Sequence, residues 1–231
     1  MFPLRFVYLF GSSLFFIPWF LIFSGRKDLR RLMVFNGLLL SVIGLIMEYF
    51  FWTRDWWRPY TITNTRIGIE DILLGFSSGG VAASLYFYVF KNKLKTTDSI
   101  SNKRLTFLIV LISVCLMLCF ILVYIVNISS FLATIIFGLI FSTVIMFFNK
   151  SLIKAAFVNA ILLVLLVVPI FQLMIFVSPG FIENTWMTEN LMGTKILSVP
   201  IEDYVFYFLC GIVCFLIYPF LDEKAKLIKI K

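Results

Sequence analysis

The sequence predicts an all-α multi-pass membrane protein with seven transmembrane helices, arranged as two parallel three-helix repeats joined by a linking helix. The first observation is composition: of 231 residues, 61% are hydrophobic and only 14% are charged. A soluble domain of this size has too little interior to bury so much apolar surface. The other two observations are long runs without charge and one motif that occurs twice.

Charge-free runs locate the predicted helices. The run 105–149 would form a helix of about 68 Å, over twice the ~30 Å hydrocarbon core of a bilayer, so it must fold back. Polar residues at 127–130 mark the predicted break. The seven helices are therefore predicted from the runs 6–25, 32–53 (interrupted only by Glu48), 72–90, 105–149 (two helices), 155–182 and 204–221.

Basic residues predict how the helices are oriented. Most of the 20 Lys and Arg residues lie in the segments 26–31, 91–104, 150–154 and 224–231, which share one side of a seven-helix topology. By the positive-inside rule, the N-terminus is predicted outside and the C-terminus in the cytoplasm, with the chain in the cytoplasmic (inner) membrane. The basic loops are interpreted as topology determinants facing anionic lipid, and no nucleic-acid partner is expected.

The residue types present exclude several kinds of active site. The chain has no histidine, which excludes Ser-His-Asp and Cys-His catalysis and histidine-ligated metal sites. The four cysteines fall as two pairs in apolar runs, where packing is their predicted role, and no metal is expected. The glycine-rich segment 75–80 lies in a predicted membrane helix and lacks the strand–turn–helix setting of a dinucleotide site.

One motif opens two of the predicted helices. Ile-Glu-Asp occurs at 69–71 and at 201–203, and Phe76 and Phe208 follow at the same interval. Because three helices per repeat is an odd number, a linking helix is needed to keep the two repeats parallel, related by a pseudo-two-fold axis along the membrane normal. The predicted domains are 1–95 (first repeat), 104–127 (linking helix), 129–223 (second repeat) and 224–231 (basic cytoplasmic tail).

Acidic residues at these helix starts are the candidate functional groups. Both pairs are predicted on one side of the membrane, and a further glutamate in the second helix lies toward that side. Acids within or at the rim of a membrane bundle are costly and are functional candidates by default. The alternative is helix capping, since acids in a first turn complement the helix dipole. The candidate catalytic residues are Glu48, Glu70, Asp71, Glu202 and Asp203.

The segment 200–208, Pro-Ile-Glu-Asp-Tyr-Val-Phe-Tyr-Phe, resembles a motif of the membrane-integral lycopene (carotenoid) cyclases. In that family Pro-x-Glu-(Glu/Asp), followed by aromatic and aliphatic residues, occurs once per repeat. Its bacterial and archaeal members occur as two small subunits or as one fused chain, and this chain resembles the fused form over roughly residues 4–90 and 130–222. The first copy departs from the pattern at Gly68, where proline is expected.

The resemblance implies a redox-neutral cyclisation of lycopene or a related linear carotenoid, an isomerase reaction of the intramolecular lyase type. An acid protonates the terminal double bond, the next double bond closes a six-membered ring, and a proton is lost. β-Rings are expected, as in β-carotene or γ-carotene, while ε- and γ-rings and the number of cyclised ends stay open. The flavin of soluble-type lycopene cyclases is not expected; membrane lipids and other carotenoid-pathway enzymes are the expected partners.

Within this reaction, Glu70 and Glu202 are the predicted acids, expected to converge with the other carboxyl groups on one lipid-accessible cavity. Asp71 and Asp203 are predicted to stabilise the cation or accept its proton, with Glu48 in second rank. Aromatic faces stabilise a cation without reacting with it. The predicted substrate-binding residues, for which interfacial packing is the alternative, are Trp57, Trp186, Tyr204, Phe206 and Tyr207.

A non-catalytic seven-helix carotenoid or lipid carrier, or a transporter, is the alternative function. A retinal-type carrier needs a lysine in its last helix for a Schiff base, and the run 204–221 has none. A transporter with parallel repeats is expected to carry its acids near the membrane midplane, whereas these acids lie toward one interface.

Overall fold

The computed structural model describes residues 2–95, 100–222 and 225–229. Within these residues, seven helices are long and apolar enough to cross a membrane, which confirms the predicted number and identifies an integral membrane protein. The seven are α1 (Leu4–Gly25), α2 (Arg30–Met47), α3 (Ile69–Val89), α4 (Asn102–Phe120), α5 (Ser130–Phe148), α6 (Ile153–Val177) and α7 (Ile201–Leu221).

Shorter elements extend the helices and order the loops. π-Helices continue α2 at Glu48–Trp52 and α4 at Ile121–Ile125. The other short helices are Lys27–Leu29, Thr53–Asp55, Lys150–Leu152, Phe181–Thr185 and Thr188–Asn190. The strands form two antiparallel pairs, β1 (Asn92–Lys95) with β4 (Lys226–Lys229), and β2 (Lys195–Ile196) with β3 (Val199–Pro200).

The break predicted at 127–130 separates α5 from the π-helical end of α4. Ser129 caps α5, because its hydroxyl accepts the N–H of Leu132 at 3.4 Å. Helices α3 and α7 begin three residues before the charge-free runs do, at Ile69 and Ile201. A charge-free run marks only the apolar part of a helix, and it misses a first turn in which acids complement the helix dipole.

Helices α3 and α7 form the centre of the bundle. Helix α3 packs against α1 and α2, and α7 packs against α5 and α6. The two central helices also pack against each other, while α4 lies at the edge and contacts chiefly α5. This packing is compatible with two three-helix repeats around a two-fold axis, with α4 as the linking helix.

Glycines allow the helices of each half to approach closely. A Cβ atom on Gly79 of α3 would lie 2.7 Å from the carbonyl oxygen of Asn36 in α2. A Cβ atom on Gly211 of α7 would lie 2.6 Å from the Cα atom of Ala160 in α6. Small residues permit such contacts between membrane helices. The glycine-rich segment 75–80 therefore serves helix packing, and the two halves use glycines placed at the same interval from their acid pairs.

Apolar side chains cover the outside of the bundle. Phe176 is 80% exposed, Ile125 is 68% exposed and Phe147 is 67% exposed. A soluble monomer rarely exposes apolar surface over such an area, whereas a lipid solvent favours it.

The loops that precede α3 and α7 meet at one end of the bundle. An antiparallel bridge pairs Trp57 with Trp186, and beside it the N–H of Arg58 donates to the carbonyl oxygen of Thr185 at 2.7 Å. The segments that lead to the two acid pairs are therefore in direct contact.

At the opposite end, strands β1 and β4 place Leu94 opposite Leu227. Both strands belong to segments that were predicted to be cytoplasmic. The predicted basic tail, 224–231, is described at 225–229; its Lys224 and Lys231 lie outside the described residues, as do both outer limits of the predicted repeats, 1 and 223.

Candidate active site

Glu48 begins the π-helix that follows α2. The residue is 2% exposed, and its Oε2 atom accepts a hydrogen bond from the indole Nε1 of Trp57 at 3.0 Å. Its Oε1 atom has no hydrogen-bond partner among the described residues. The hydroxyl of Thr53 donates to the Glu48 carbonyl oxygen at 2.9 Å. π-Helical turns are frequent at functional sites, and this one carries a buried carboxyl group with a free oxygen.

Asp71, in the first turn of α3, is held by two donors. The N–H of Gly68 donates to its Oδ2 at 2.7 Å, as in one half of a capping box. The hydroxyl of Tyr8, a residue 2% exposed, donates to its Oδ1 at 2.5 Å. Hydrogen bonds to both oxygens favour the charged carboxylate over the neutral acid.

Asp203 occupies the equivalent position in α7 without the equivalent hydrogen bond. Residue 200 is proline, which has no N–H to donate. The Oδ2 of Asp203 has no hydrogen-bond partner in the described part of the chain, and neither has the indole Nε1 of Trp186. A buried oxygen without a donor costs more free energy when the group is charged than when it is protonated. The two aspartates therefore lie in different environments at matching positions.

Glu48, Asp71 and Asp203 line one cavity of about 90 Å³ between α1, α2, α3, α6 and α7. Glu48 and Asp71 are close enough to interact electrostatically. The aromatic residues in the cavity wall are Tyr8, Phe15, Trp52, Trp56, Trp57, Phe171, Trp186, Phe206 and Tyr207. Three carboxyl groups from the two halves thus face one largely apolar, aromatic space.

Glu70 and Glu202 are buried but do not line this cavity. Each accepts a backbone N–H from the loop before its helix. The N–H of Ile62 donates to Glu70 Oε1 at 2.6 Å, and the N–H of Met192 donates to Glu202 Oε1 at 2.7 Å. Of the two Glu-Asp pairs, the aspartates line this cavity and the glutamates do not.

Gly68 is explained by its neighbours. A Cβ atom at residue 68 would lie 2.8 Å from the Cβ of Thr61, so a larger residue collides with the loop. Proline there would also remove the N–H that Asp71 accepts. Helix α3 nevertheless begins in the same register as α7, at the isoleucine before each Glu-Asp pair. The departure from the family pattern leaves the helix start intact and adds a donor to one aspartate.

Four of the five predicted aromatic residues line the cavity, namely Trp57, Trp186, Phe206 and Tyr207. The rings of Trp57 and Trp186 have centroids 5.5 Å apart. Tyr204 does not line it; its hydroxyl donates to the carbonyl oxygen of Ile196 at 3.2 Å and so supports the loop.

Several cavity residues were not predicted. Tyr8 is the most informative, because its hydroxyl is a polar group in an apolar span, and such groups usually face the bundle interior. Phe15 stacks on Tyr207 with ring centroids 5.8 Å apart. Trp52 and Phe171 are aromatic residues in apolar runs, and no sequence signal separates them from packing residues.

All four cysteines are free, and Cys210 lies in the cavity wall. In the ranges 2–95, 100–222 and 225–229, no group of three or more Cys, Asp or Glu residues is placed to hold a metal ion.

Comparison with protein families matches residues 129–221 to the lycopene cyclase family. The matched segment contains α5, α6 and α7, and with them Asp203 and Trp186. Comparison with curated proteins and with solved structures gives no match. Residues 129–221 therefore form a lycopene cyclase domain.

Proposed function

We propose that the chain closes an end ring of a linear carotenoid in the cavity lined by Glu48, Asp71 and Asp203. Carotenoid cyclisation is the activity that the lycopene cyclase domain supports. The observation that carries the proposal is the meeting of three buried carboxyl groups in an apolar, aromatic cavity. A hydrocarbon end group fits such a wall, and the carboxyl groups supply the only chemistry that the reaction needs.

The reaction is balanced without an oxidant or a cofactor. A carboxylic acid gives its proton to the terminal double bond, which leaves a tertiary cation. The electrons of the next double bond form the ring-closing carbon–carbon bond and move the positive charge into the ring. A carboxylate then takes a proton from a ring carbon, whose C–H electrons form the new double bond. The product is an isomer of the substrate.

Asp203 is the proposed acid. Its Oδ2 accepts no hydrogen bond from the described residues, and Pro200 supplies no N–H, so burial favours the neutral, protonated form. A carboxyl group kept neutral by its surroundings can act as a general acid. The environment of Asp203 thus fits the first step.

Asp71 is the proposed carboxylate that faces the cation and takes the final proton. Its donors, Gly68 and Tyr8, favour the charged form. Glu48 is close enough to interact with it, and two nearby carboxyl groups repel when both are charged. The pair is proposed to carry one negative charge and one proton, which leaves one carboxylate to offset the cation.

The aromatic wall is proposed to stabilise the cation between the two proton transfers. Trp57 and Trp186 lie beside the carboxyl groups, and their ring faces attract positive charge without reacting. Proton loss that extends the conjugated chain gives a β-ring, which is the proposed product.

Glu70 and Glu202 are proposed as positioning residues. Each fixes the loop before its helix through one backbone N–H. These loops carry the bridge between Trp57 and Trp186, two residues of the cavity wall, so the glutamates fix the position of that part of the wall.

The two-repeat organisation is proposed for the whole chain, with residues 1–95 and 129–223 as fused equivalents of two subunits. Support comes from the matching helix starts at Ile69 and Ile201 and the matching pattern of helix packing. The proposed orientation, N-terminus outside and C-terminus cytoplasmic in the inner membrane, rests on the basic segments. A carrier or transporter is not favoured, because the acid pairs lie in first turns at one end of the bundle.

Expression of the chain in cells that accumulate lycopene tests the activity. We expect new carotenoids with β-rings, separated by chromatography. Their absorption spectra should differ from that of lycopene while their mass is the same, because cyclisation is an isomerisation. Cells with the empty vector are the control. Lycopene that stays acyclic in cells with abundant membrane-inserted protein would contradict the proposal.

Glutamine at position 70 or 202 is expected to leave cyclisation within about tenfold of wild type, because an amide oxygen still accepts the loop N–H. This differs from the expectation for a catalytic acid, where losing the acid costs about 10²–10⁴-fold in rate. Glu202→Ala leaves the Met192 N–H without its acceptor, at a cost of about 1–3 kcal/mol. Product yield and thermal unfolding of the purified variants measure both effects. Complete loss of product in a well-folded Glu202→Gln variant would make Glu202 the acid.

A further inference from the structure

A second cavity of about 70 Å³ adjoins the one that holds the carboxyl groups. It lies between α2, α5 and α7. The two cavities share five wall residues, namely Leu40, Gly44, Trp52, Phe206 and Cys210. We call the second one the side cavity.

The side cavity is long and almost wholly apolar. Its wall follows α2 from Asn36 to Met47 and α7 from Phe206 to Ile217. At 1.5 Å per residue, each stretch measures about 17 Å along the helix axis. The acid residues lie at one end, in the first turns of α3 and α7, so the side cavity leads away from them toward the opposite end of the bundle.

Gly44 lies where the two cavities adjoin. It lies in both walls, and a Cβ atom added there would meet nothing within 4 Å. The space beside Gly44 is therefore open, in contrast to the close helix contacts at Gly79 and Gly211.

We propose that the side cavity binds the polyene chain of the carotenoid whose end group reacts beside Asp203. This inference rests on the proposed function. A linear carotenoid is a long apolar rod, and the carboxyl-lined cavity has room for its end group alone. The remainder needs an apolar space beside that cavity. The side cavity has an apolar wall, shares five wall residues with the carboxyl-lined cavity, and extends about 17 Å for the part of the polyene nearest the end group.

Phenylalanine substitutions from two facing helices test the assignment. Val213 of α7 and Ile43 of α2 line only the side cavity, so Val213→Phe and Ile43→Phe fill it without touching the carboxyl-lined cavity. The matched controls are Val205→Phe on α7 and Val42→Phe on α2, where the side chains are 37% and 57% exposed on the outside of the bundle.

The measurement is lycopene bound per purified full-length chain, read from visible absorbance, in an Asp203→Asn background that prevents turnover. We expect Val213→Phe and Ile43→Phe each to lower bound lycopene by about tenfold or more, because the added ring occupies space that the polyene needs and overfilling the cavity is costly. The controls are expected to match the parent. Thermal unfolding identifies a variant that is misfolded. In that case the lycopene bound by the variant on the other helix tests the inference.

Equal lycopene retention by the filled variants and the controls would overturn the inference. So would displacement of co-purified lipid without loss of lycopene, because the side cavity would then hold an acyl chain. Cyclisation by the wild-type chain is assayed in parallel. If the wild-type chain forms no rings but the phenylalanine substitutions still abolish lycopene binding, the proposed reaction is wrong and the polyene site is supported.

Discussion

Asp203→Asn is expected to abolish ring formation while the amount of protein in the membrane stays at the wild-type level. Asparagine keeps the shape of the side chain but cannot give a proton to the substrate. Loss of general-acid assistance typically costs about 10²–10⁴-fold in rate, and more where the cation forms in no other way. Chromatography of carotenoids from lycopene-accumulating cells, normalised to the protein present, measures the loss.

Asp28→Asn is the matched control for this substitution. Asp28 lies at the opposite end of the bundle, where its carboxylate pairs with Arg26 at 2.8 Å. Surface ion pairs contribute about 0–1 kcal/mol to stability, so cyclisation by this variant is expected to match wild type. Near-normal yield from a well-expressed Asp203→Asn variant would assign the first proton transfer to another carboxyl group.

The number and positions of the membrane helices could be predicted from the sequence because a lipid bilayer constrains both strongly. A helix that crosses a bilayer needs about 20 apolar residues, and its backbone groups must be satisfied within the helix. Charge-free runs therefore reveal each span almost directly, and all seven are present. The charge-free runs begin three residues after α3 and α7 do, whereas the repeated Ile-Glu-Asp motif marks the helix starts at Ile69 and Ile201.

The choice between neighbouring acids could not be predicted from the motif. Adjacent residues on a helix point about 100° apart, and here Asp71 lines the cavity while Glu70 does not. Which of them faces the cavity depends on how α3 packs against α1 and α7, and a spacing within one helix carries no such information. The second half makes the same choice, since Asp203 lines the cavity as Asp71 does.

One difference between the two aspartates arises from a single backbone atom. Gly68 has an N–H that Asp71 accepts, and Pro200 has none for Asp203. The sequence alone does not explain why glycine, and not the proline of the family pattern, occupies position 68. The structure relates it to the space beside Thr61 and to the hydrogen bonding of Asp71. A duplicated motif with one altered cap can thus supply an acid and a carboxylate from the same two-residue pair.

Asp71→Asn is the second substitution with a large expected effect. The amide cannot take up the proton released by the ring or offset the cation, so the rate is expected to fall by about 10²–10⁴-fold. Because the base selects the ring carbon that loses its proton, the residual product is also expected to change in ring type. Asp203→Asn blocks the step that forms the cation, so it is expected to lower the amount of product without changing its ring type.

Tyr8→Phe distinguishes the effect of the Asp71 carboxylate itself from the effect of its hydrogen-bond donor. This variant keeps the carboxylate and removes the hydroxyl that donates to its Oδ1 at 2.5 Å. Hydrogen bonds to charged groups contribute about 1.5–3 kcal/mol, so a loss of rate of about 10- to 10²-fold is expected, smaller than the loss from Asp71→Asn. Ring composition from both variants, measured by chromatography, gives a readout that a loss of stability alone would not move. An Asp71→Asn variant with wild-type rate and wild-type ring composition would transfer the proton-accepting role to Glu48, the other carboxyl group within reach of the same charge.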